Sequence, residues 1–161
     1  MTLLAMTGTE TTAMPRAEAF LRAGEQWLLA DEPAEAAAGF RRAMADGGPV
    51  FADPRIPLAR ALFQLGSQSE AQALISDVKA AGPADLRTCD LVAELLVERG
   101  DLAGALDWAT AGVELGLADA DRGQRHDANE SELRLLLRLR YRIRNDLGLP
   151  EDSYDAMLDD A

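Results

Sequence analysis

Small residues recur in this chain at a spacing of 34 or 35 residues. Ala36 is followed 35 residues later by Ala71, which is followed 34 residues later by Ala105. A second series lies twelve positions ahead of the first and consists of Gly24, Ala59 and Ala93. Two closely packed helices need small residues where their backbones meet. The spacing therefore predicts three helical hairpins, each with one small residue on each helix.

Large side chains are expected between neighbouring hairpins, because one hairpin cannot bury its apolar face alone. In the first hairpin, Trp27 lies three residues after Gly24, and Phe40 lies four residues after Ala36. The matching later positions hold Leu62, Leu96, Ile75 and Ala109, with Trp108 as a replacement for Ala109. We expect Trp27 to anchor the interface between the first and second hairpins.

Glycine and proline place the helix ends where three hairpins require them. The expected helices cover about residues 15–30, 33–46, 53–66, 67–82, 85–100 and 101–116. Ser67 and Glu70 have the spacing of a capping box at the start of the fourth helix. Residues 117–130 are polar and are expected to form a loop, followed by an Arg-rich helix over 129–147 and a short helix over 150–159.

The pattern resembles the tetratricopeptide repeat, a helix-turn-helix unit of 34 residues. The resemblance covers about residues 17–119, with units at about 17–51, 52–85 and 86–119. The first unit carries it best, through Phe20, Gly24, Trp27, Ala36, Phe40 and Ala43. The chain is also similar to actinobacterial proteins of this repeat type, some of which carry a Cys-rich SEC-C-type zinc motif. With Cys89 as its only cysteine, this chain cannot form that motif.

The resemblance implies an all-α fold, a right-handed helical solenoid of three repeats in a single domain over residues 15–161. A linker over 119–130 would lead to the capping helix over 129–147, since repeat stacks need a terminal element with a polar outer face. The implied function is non-catalytic protein–protein interaction through the concave groove of the repeats. Carrying over the repeat's groove positions gives Glu18, Leu21, Glu25, Leu28, Asp53, Ile56, Arg60, Phe63, Gln64, Arg87, Asp90, Glu94, Val97 and Glu98.

Acidic residues outnumber basic ones at these groove positions, so the expected partner is a basic or extended, partly apolar protein segment. The same face also has a simpler interpretation as a solvated acidic surface. The chaperone-binding branch of the family grips a peptide carboxylate with Lys and Asn. That activity is not expected here, because the matching positions hold Leu21 and Glu25.

Composition limits the other function classes. The net charge is −12, from 28 acidic and 16 basic residues, which disfavours general binding to nucleic acid or to an anionic membrane. A single cysteine predicts no internal disulfide, and no segment approaches the ~18 apolar residues of a membrane span. The N-terminus lacks the basic start of a signal peptide. We therefore expect a soluble cytoplasmic protein with a disordered segment over residues 1–14.

Catalytic and metal chemistry find little support in the sequence. His126 is the only histidine, Cys89 falls on an inward helix position, and no phosphate loop or dinucleotide fingerprint occurs. Asp119, Asp121, Asp127 and Glu130 have the spacing of a calcium loop. Gly123 offers no side-chain ligand there, however, and Gln124 replaces the glycine of the sharp turn. We expect no enzyme activity and no cofactor.

The Arg-rich helix supports the alternative function, which is binding of nucleic acid or another anionic ligand. Five arginines fall within the eleven residues 134–144. Arg140 and Arg144 lie inside the apolar stripe of this helix. We expect structural pairing with acids of the third repeat or of the 119–130 loop, and the alternative is contact with an anionic group of a partner.

Overall fold

The computed structural model describes residues 13–82, 85–123 and 127–160, and over these residues the protein is all-helical. Eight helices lie in these ranges: α1 Arg16–Leu29, α2 Pro33–Asp46, α3 Arg55–Gln64, α4 Gln68–Ala81, α5 Leu86–Glu98, α6 Leu102–Asp121, α7 Asp127–Asp146 and α8 Ser153–Ala156. The expected all-α class is confirmed. None of these helices combines the length and apolar character that crossing a bilayer requires.

The first six helices associate in pairs, α1 with α2, α3 with α4, and α5 with α6. α2 also packs against α3, and α7 packs against both α5 and α6. Short connections make the two helices of each pair antiparallel neighbours. A continuous core of apolar residues runs through these contacts, from Leu21 on α1 to Ile143 on α7.

The same type of turn connects the two helices in each of the three pairs. Asp31, Gly66 and Gly100 occupy equivalent positions and all have positive φ, at 59°, 80° and 79°. In each turn the next residue donates its N–H to a carbonyl five residues earlier, as Ser67 does to Leu62 at 2.9 Å. Glycine adopts this left-handed backbone at no steric cost, whereas aspartate is one of the few other residues that tolerate it.

Small residues lie where the paired helices touch, as the spacing predicts. All five predicted alanines are fully buried, and Gly24 is also buried. A Cβ atom on Gly24 would lie 2.6 Å from Cε1 of Phe40, and one on Gly39 would lie 3.1 Å from Cα of Gly24. The close approach of α1 and α2 therefore depends on two glycines that face each other, of which the sequence pattern identified one.

The prediction for Trp27 is wrong. Its side chain is 45% exposed, so it does not anchor an interface between helix pairs. Trp27 shares one flank of α1 with Phe20 and Arg16, which are seven and eleven residues earlier. Arg16 and Phe20 line an open depression whose other wall is α2, and α3 packs on α2 instead. Because no described helix covers this flank of α1, Trp27 remains accessible to solvent.

Two predicted helix ends also differ from the structure. α6 continues to Asp121 instead of ending near residue 116, because Gly116 is a buried close-packing residue between Leu86 and Leu133. The predicted 117–130 loop is therefore shorter, and α7 begins at Asp127. The capping box at Ser67 does not form, since the Ser67 side chain makes no capping hydrogen bond and the Glu70 carboxylate pairs with Arg41 at 2.9 Å.

Some predictions fall outside the described residues. These include most of the 1–14 segment, as well as Gln124 and His126. The short terminal helix predicted over 150–159 does lie within the described residues, but its α-helical part is limited to Ser153–Ala156.

Candidate functional site

Phe51 lies in the connection between α2 and α3, and its side chain is 81% exposed. The backbone beneath it is held in place, because the Phe51 N–H donates a 2.8 Å hydrogen bond to Oε2 of Glu18 on α1. The guanidinium carbon of Arg87, near the start of α5, lies 5.9 Å from the centre of the Phe51 ring. Phe51 therefore links the N-terminal ends of α1 and α5 and presents an aromatic ring to solvent.

Glu18 is the buried anchor of this arrangement and is 8% exposed. Besides the bond from Phe51, its carboxylate accepts a hydrogen bond from Nε of Arg22 at 3.1 Å. The backbone hydrogen bond from Phe51, followed by the bond from Arg22, lowers the pKa of Glu18 below its usual value. The sequence placed Glu18 in a partner groove, whereas the structure uses its carboxylate to position Phe51.

The fourteen residues predicted to line a groove differ in accessibility. Four are buried: Glu18, Leu21, Ile56 and Phe63. Five are partly buried: Leu28, Asp53, Arg60, Asp90 and Val97. Five are exposed: Glu25, Gln64, Arg87, Glu94 and Glu98. We refer to these five exposed residues together with Phe51 as the α1–α3–α5 surface.

Ion pairs fix part of the charge near the α1–α3–α5 surface. Nη2 of Arg60 lies 3.2 Å from Oε1 of Glu98 and ties α3 to α5. Asp53 pairs with Arg55 at 2.7 Å, so its carboxylate is also engaged within the chain. Glu25 and Glu94 make no ion pair within 4.0 Å in the part of the chain that the structure describes, and they leave the surface acidic.

Asp90 borders the same surface on the side of α7. Burial, and then the nearby Glu94 and Glu132 carboxylates, raise the pKa of Asp90 to about 6. Glu132 lies on α7, so these like charges meet at the α5–α7 contact and favour the protonated form of Asp90. The arrangement is an acidic cluster whose charge depends on pH near neutrality.

Exposed apolar residues at this surface were missed by the sequence analysis. Phe51 lies between helices and therefore outside any helical period. Leu29 is also 81% exposed and lies one helical turn after Glu25 on α1. One signal in the sequence could have identified Phe51: it is an aromatic residue in the connection between two helices, where no core position has to be filled. Large apolar side chains exposed in such connections often mark binding sites.

Two depressions flank the ring of Phe51. One, of about 460 Å³, lies on the α1 side and is lined by Met14 and Arg22. The other, of about 170 Å³, lies on the α3–α5 side and is lined by Ile56 and Leu91. The ring thus forms a ridge between two shallow cavities, a shape that an extended chain could follow on both sides.

Arg140 and Arg144, the candidate anion-binding residues, are engaged within the protein. Arg140 is 4% exposed and donates to both carboxylate oxygens of Asp152, at 3.0 and 2.6 Å, and to Oγ1 of Thr110 at 3.0 Å. Arg144 donates to Oδ2 of Asp155 at 3.3 Å and to the carbonyl oxygen of Pro150 at 2.6 Å. The acids that pair with these arginines come from the start of α8, not from the third helix pair or the 119–130 segment.

Cys89, Asp119 and Asp121 are the sequence-based candidates for catalysis or metal binding whose surroundings the structure describes. Cys89 is fully buried, and burial raises the pKa of its thiol to about 11, which suppresses the nucleophilic thiolate. No group of three or more His, Cys, Asp or Glu side chains with metal-binding geometry occurs in the described ranges. Asp119 and Asp121 of the suspected calcium loop lie on α6.

Comparison of the chain with protein-family models and with curated proteins gave no match.

Proposed function

We propose that this protein is a tetratricopeptide-like solenoid of three helix pairs, capped by α7, that binds a segment of another protein through the α1–α3–α5 surface. The identical turns at Asp31, Gly66 and Gly100 support the repeat arrangement, since they recur at the 34- to 35-residue spacing. The single observation that carries the binding function is the exposed ring of Phe51 on a backbone fixed by a buried carboxylate.

An exposed aromatic ring on a fixed backbone has properties of a binding hot spot. Covering a phenylalanine side chain stabilises a complex by about 1.5–3 kcal/mol, which is comparable to the larger effects of single residues in protein interfaces. The hydrogen bond from Phe51 to Glu18 limits backbone freedom before binding. Less backbone conformational entropy is then lost when a partner packs against the ring.

The charges of the surface define the partner. Glu25 and Glu94 lack ion pairs within the described residues, and Asp90 adds an acidic group beside them. The flanking cavities accept apolar side chains along an extended chain. The partner segment is therefore extended, basic and partly apolar.

The experiment is affinity purification from a lysate of the source organism with three immobilised proteins, followed by quantitative mass spectrometry. Wild type, Phe51→Ala and Trp27→Ala are compared. Trp27 is the matched control, because it is also an exposed aromatic residue but lies on the uncovered flank of α1. Partners of the α1–α3–α5 surface should bind wild type and Trp27→Ala but not Phe51→Ala.

The charge of the surface gives a second comparison in the same assay. Glu94→Lys/Glu98→Lys should also release these partners, while the helical circular dichroism spectrum stays unchanged. If every captured protein binds all of the variants equally, the α1–α3–α5 surface is not the binding site.

The alternative of nucleic-acid binding by α7 is less well supported. Arg140 and Arg144 are held by Asp152 and Asp155, which leaves three of the five arginines facing solvent. The net charge of −12 opposes a polyanion at long range.

A further inference from the structure

A groove separates α4 from α6 on a part of the molecule distinct from the α1–α3–α5 surface. Its volume is about 410 Å³, within the range of ligand-binding clefts. The α4 wall carries Gln68, Gln72, Ser76 and Lys79, spaced by four, four and three residues, so these side chains follow one flank of the helix. The α6 wall carries Asp101, Gly104 and Asp107.

The floor of the groove is apolar and aromatic. Ile75, Leu96 and Trp108 line it and retain 8%, 7% and 5% exposure, so each is largely buried but open at one side. Phe63 closes one end beneath Arg99, whose guanidinium carbon lies 4.9 Å from the ring centre. The floor can therefore accept one apolar side chain from a ligand.

Trp108 also offers a hydrogen-bond donor in this groove. Its indole N–H bonds to no described residue, and every fully buried side-chain nitrogen and oxygen in the described ranges has a partner. Nε1 of Trp108 is therefore not fully buried, and Trp108 lines the groove. An indole nitrogen is a donor only, so it requires an acceptor such as a peptide carbonyl oxygen.

The charges of the groove are incompletely paired. Lys79, Arg99 and Asp107 each lack an ion pair within 4.0 Å among the described residues. Asp101 is different, because its carboxylate accepts the N–H of Gly104 at 2.9 Å and caps α6. Lys79 and Arg99 thus balance Asp101 and Asp107 in formal charge, and of the two acids only Asp101 is engaged as a helix cap, so both cations remain available to a carboxylate of a ligand.

We propose that the α4–α6 groove binds an extended peptide segment in which an apolar side chain neighbours an acidic one. The apolar side chain packs on Trp108, and the acidic side chain pairs with Lys79 or Arg99. Peptide carbonyl and N–H groups bond to Trp108 Nε1 and to the amides of Gln68 and Gln72, each of which can donate and accept. The α4 wall is about 16 Å long, which matches about five residues of extended chain.

The test uses the full chain labelled with ¹⁵N and the capped tetrapeptide N-acetyl-Gly-Asp-Leu-Gly-amide as the probe. Saturable shifts are expected for the indole signal of Trp108 and the side-chain amides of Gln68 and Gln72, at peptide concentrations up to about 10 mM. Two matched peptides, with Lys in place of Asp or Ser in place of Leu, should each bind about ten-fold more weakly. Equal shifts with all three peptides, or none with the first, would overturn the proposal.

Protein variants locate the site. Lys79→Glu should weaken the probe about ten-fold, whereas Asp107→Lys should strengthen it. Ser76→Trp should fill the groove and abolish the shifts. Ala73→Trp adds the same bulk to an exposed position of α4 outside the groove, so its affinity should equal that of wild type.

Two outcomes would assign the groove differently. If the peptide with Lys in place of Asp binds more tightly than the Asp peptide, the groove prefers a basic ligand and the proposed chemistry is wrong. If the Trp108 signal shifts on raising the protein concentration alone, the occupant is a second copy of the chain. Either result refutes the proposal without affecting the function assigned to Phe51.

Discussion

Replacing Arg140 by alanine removes the side chain on which the packing of α8 depends. In the native protein Arg140 has 5% side-chain exposure and holds Asp152 with two hydrogen bonds. It also reaches Oδ1 of Asp155 at 3.4 Å, and its guanidinium carbon lies 4.9 Å from the centre of the Tyr154 ring. The variant therefore loses the contacts that α7 makes with Asp152, Tyr154 and Asp155 through this side chain.

The magnitude follows from the burial of the acids that remain. Removing one partner of a buried ion pair costs about 3–5 kcal/mol. Two features reduce this value here: Asp152 has 30% side-chain exposure, and Arg144 remains 3.5 Å from Asp152 and 3.3 Å from Asp155. We therefore expect Arg140→Ala to lower the free energy of unfolding by about 2–3 kcal/mol, a large part of the about 5–15 kcal/mol of a typical domain.

Urea denaturation followed by circular dichroism measures the global effect, and amide hydrogen exchange at Met157 and Leu158 measures release of α8. Arg134→Ala is the matched control, since Arg134 is an exposed arginine of the same helix, and it should change the stability by no more than about 0.5 kcal/mol. Exchange near α8 should accelerate in Arg140→Ala and not in the control.

The pH dependence provides an independent check. The hydrogen bonds from Arg140 hold the pKa of Asp152 well below its usual range. A carboxylate whose pKa is lowered by folding contributes its full stabilisation when the pH is above the usual Asp pKa. This contribution is lost progressively as the pH falls from the usual pKa toward the lowered one. The difference between wild type and Arg140→Ala should therefore shrink below about pH 4. A variant with wild-type stability and wild-type exchange at neutral pH would refute the structural role of Arg140.

Two further predictions concern the helix pairs. Trp27→Ala should lower the free energy of unfolding by only about 1 kcal/mol because the side chain is half exposed, whereas Trp108→Ala should lower it by about 3–5 kcal/mol because Trp108 is buried. Thermal unfolding of the two variants measures the difference, and equal losses of stability would contradict the packing described for α1. The pKa of Asp90 in the folded protein is about 6, above its usual value, so wild-type stability should fall as the pH rises from about 4 to 6. Asp90→Asn should lack this pH-dependent fall in stability and should be more stable than wild type at pH 7 by about 1 kcal/mol. Urea denaturation at several pH values between about 4 and 7 tests this prediction. If the stability of Asp90→Asn still falls over this range, another titrating group causes the fall.

The sequence was informative wherever one local rule decided the structure. Ala36 and Ala93 could be placed between helices because only small residues permit close backbone approach. Gly66 and Gly100 marked helix ends because their positive φ suits glycine. These rules act within a few residues of the positions they describe, and so they can be applied without knowledge of the tertiary structure.

The remaining features depend on what each residue meets in three dimensions. Trp27 matches the repeat pattern, but the pattern does not show that one flank of α1 lacks a neighbouring helix. Glu70 has the spacing of a cap, yet its carboxylate finds Arg41 on another helix. The partners of Arg140 were assigned to the wrong segment because Asp152 and Asp155 are brought to α7 only by the chain reversal that precedes α8.

The pairing between α7 and α8 has a consequence for synthesis of the protein on the ribosome. Chains emerge N-terminus first, and their early parts begin to fold while later parts are still being made. Arg140 and Arg144 of α7 pair with Asp152 and Asp155, which follow them in the chain. α7 can therefore settle onto α5 and α6 with its charges neutralised only after the residues up to Asp155 have been added.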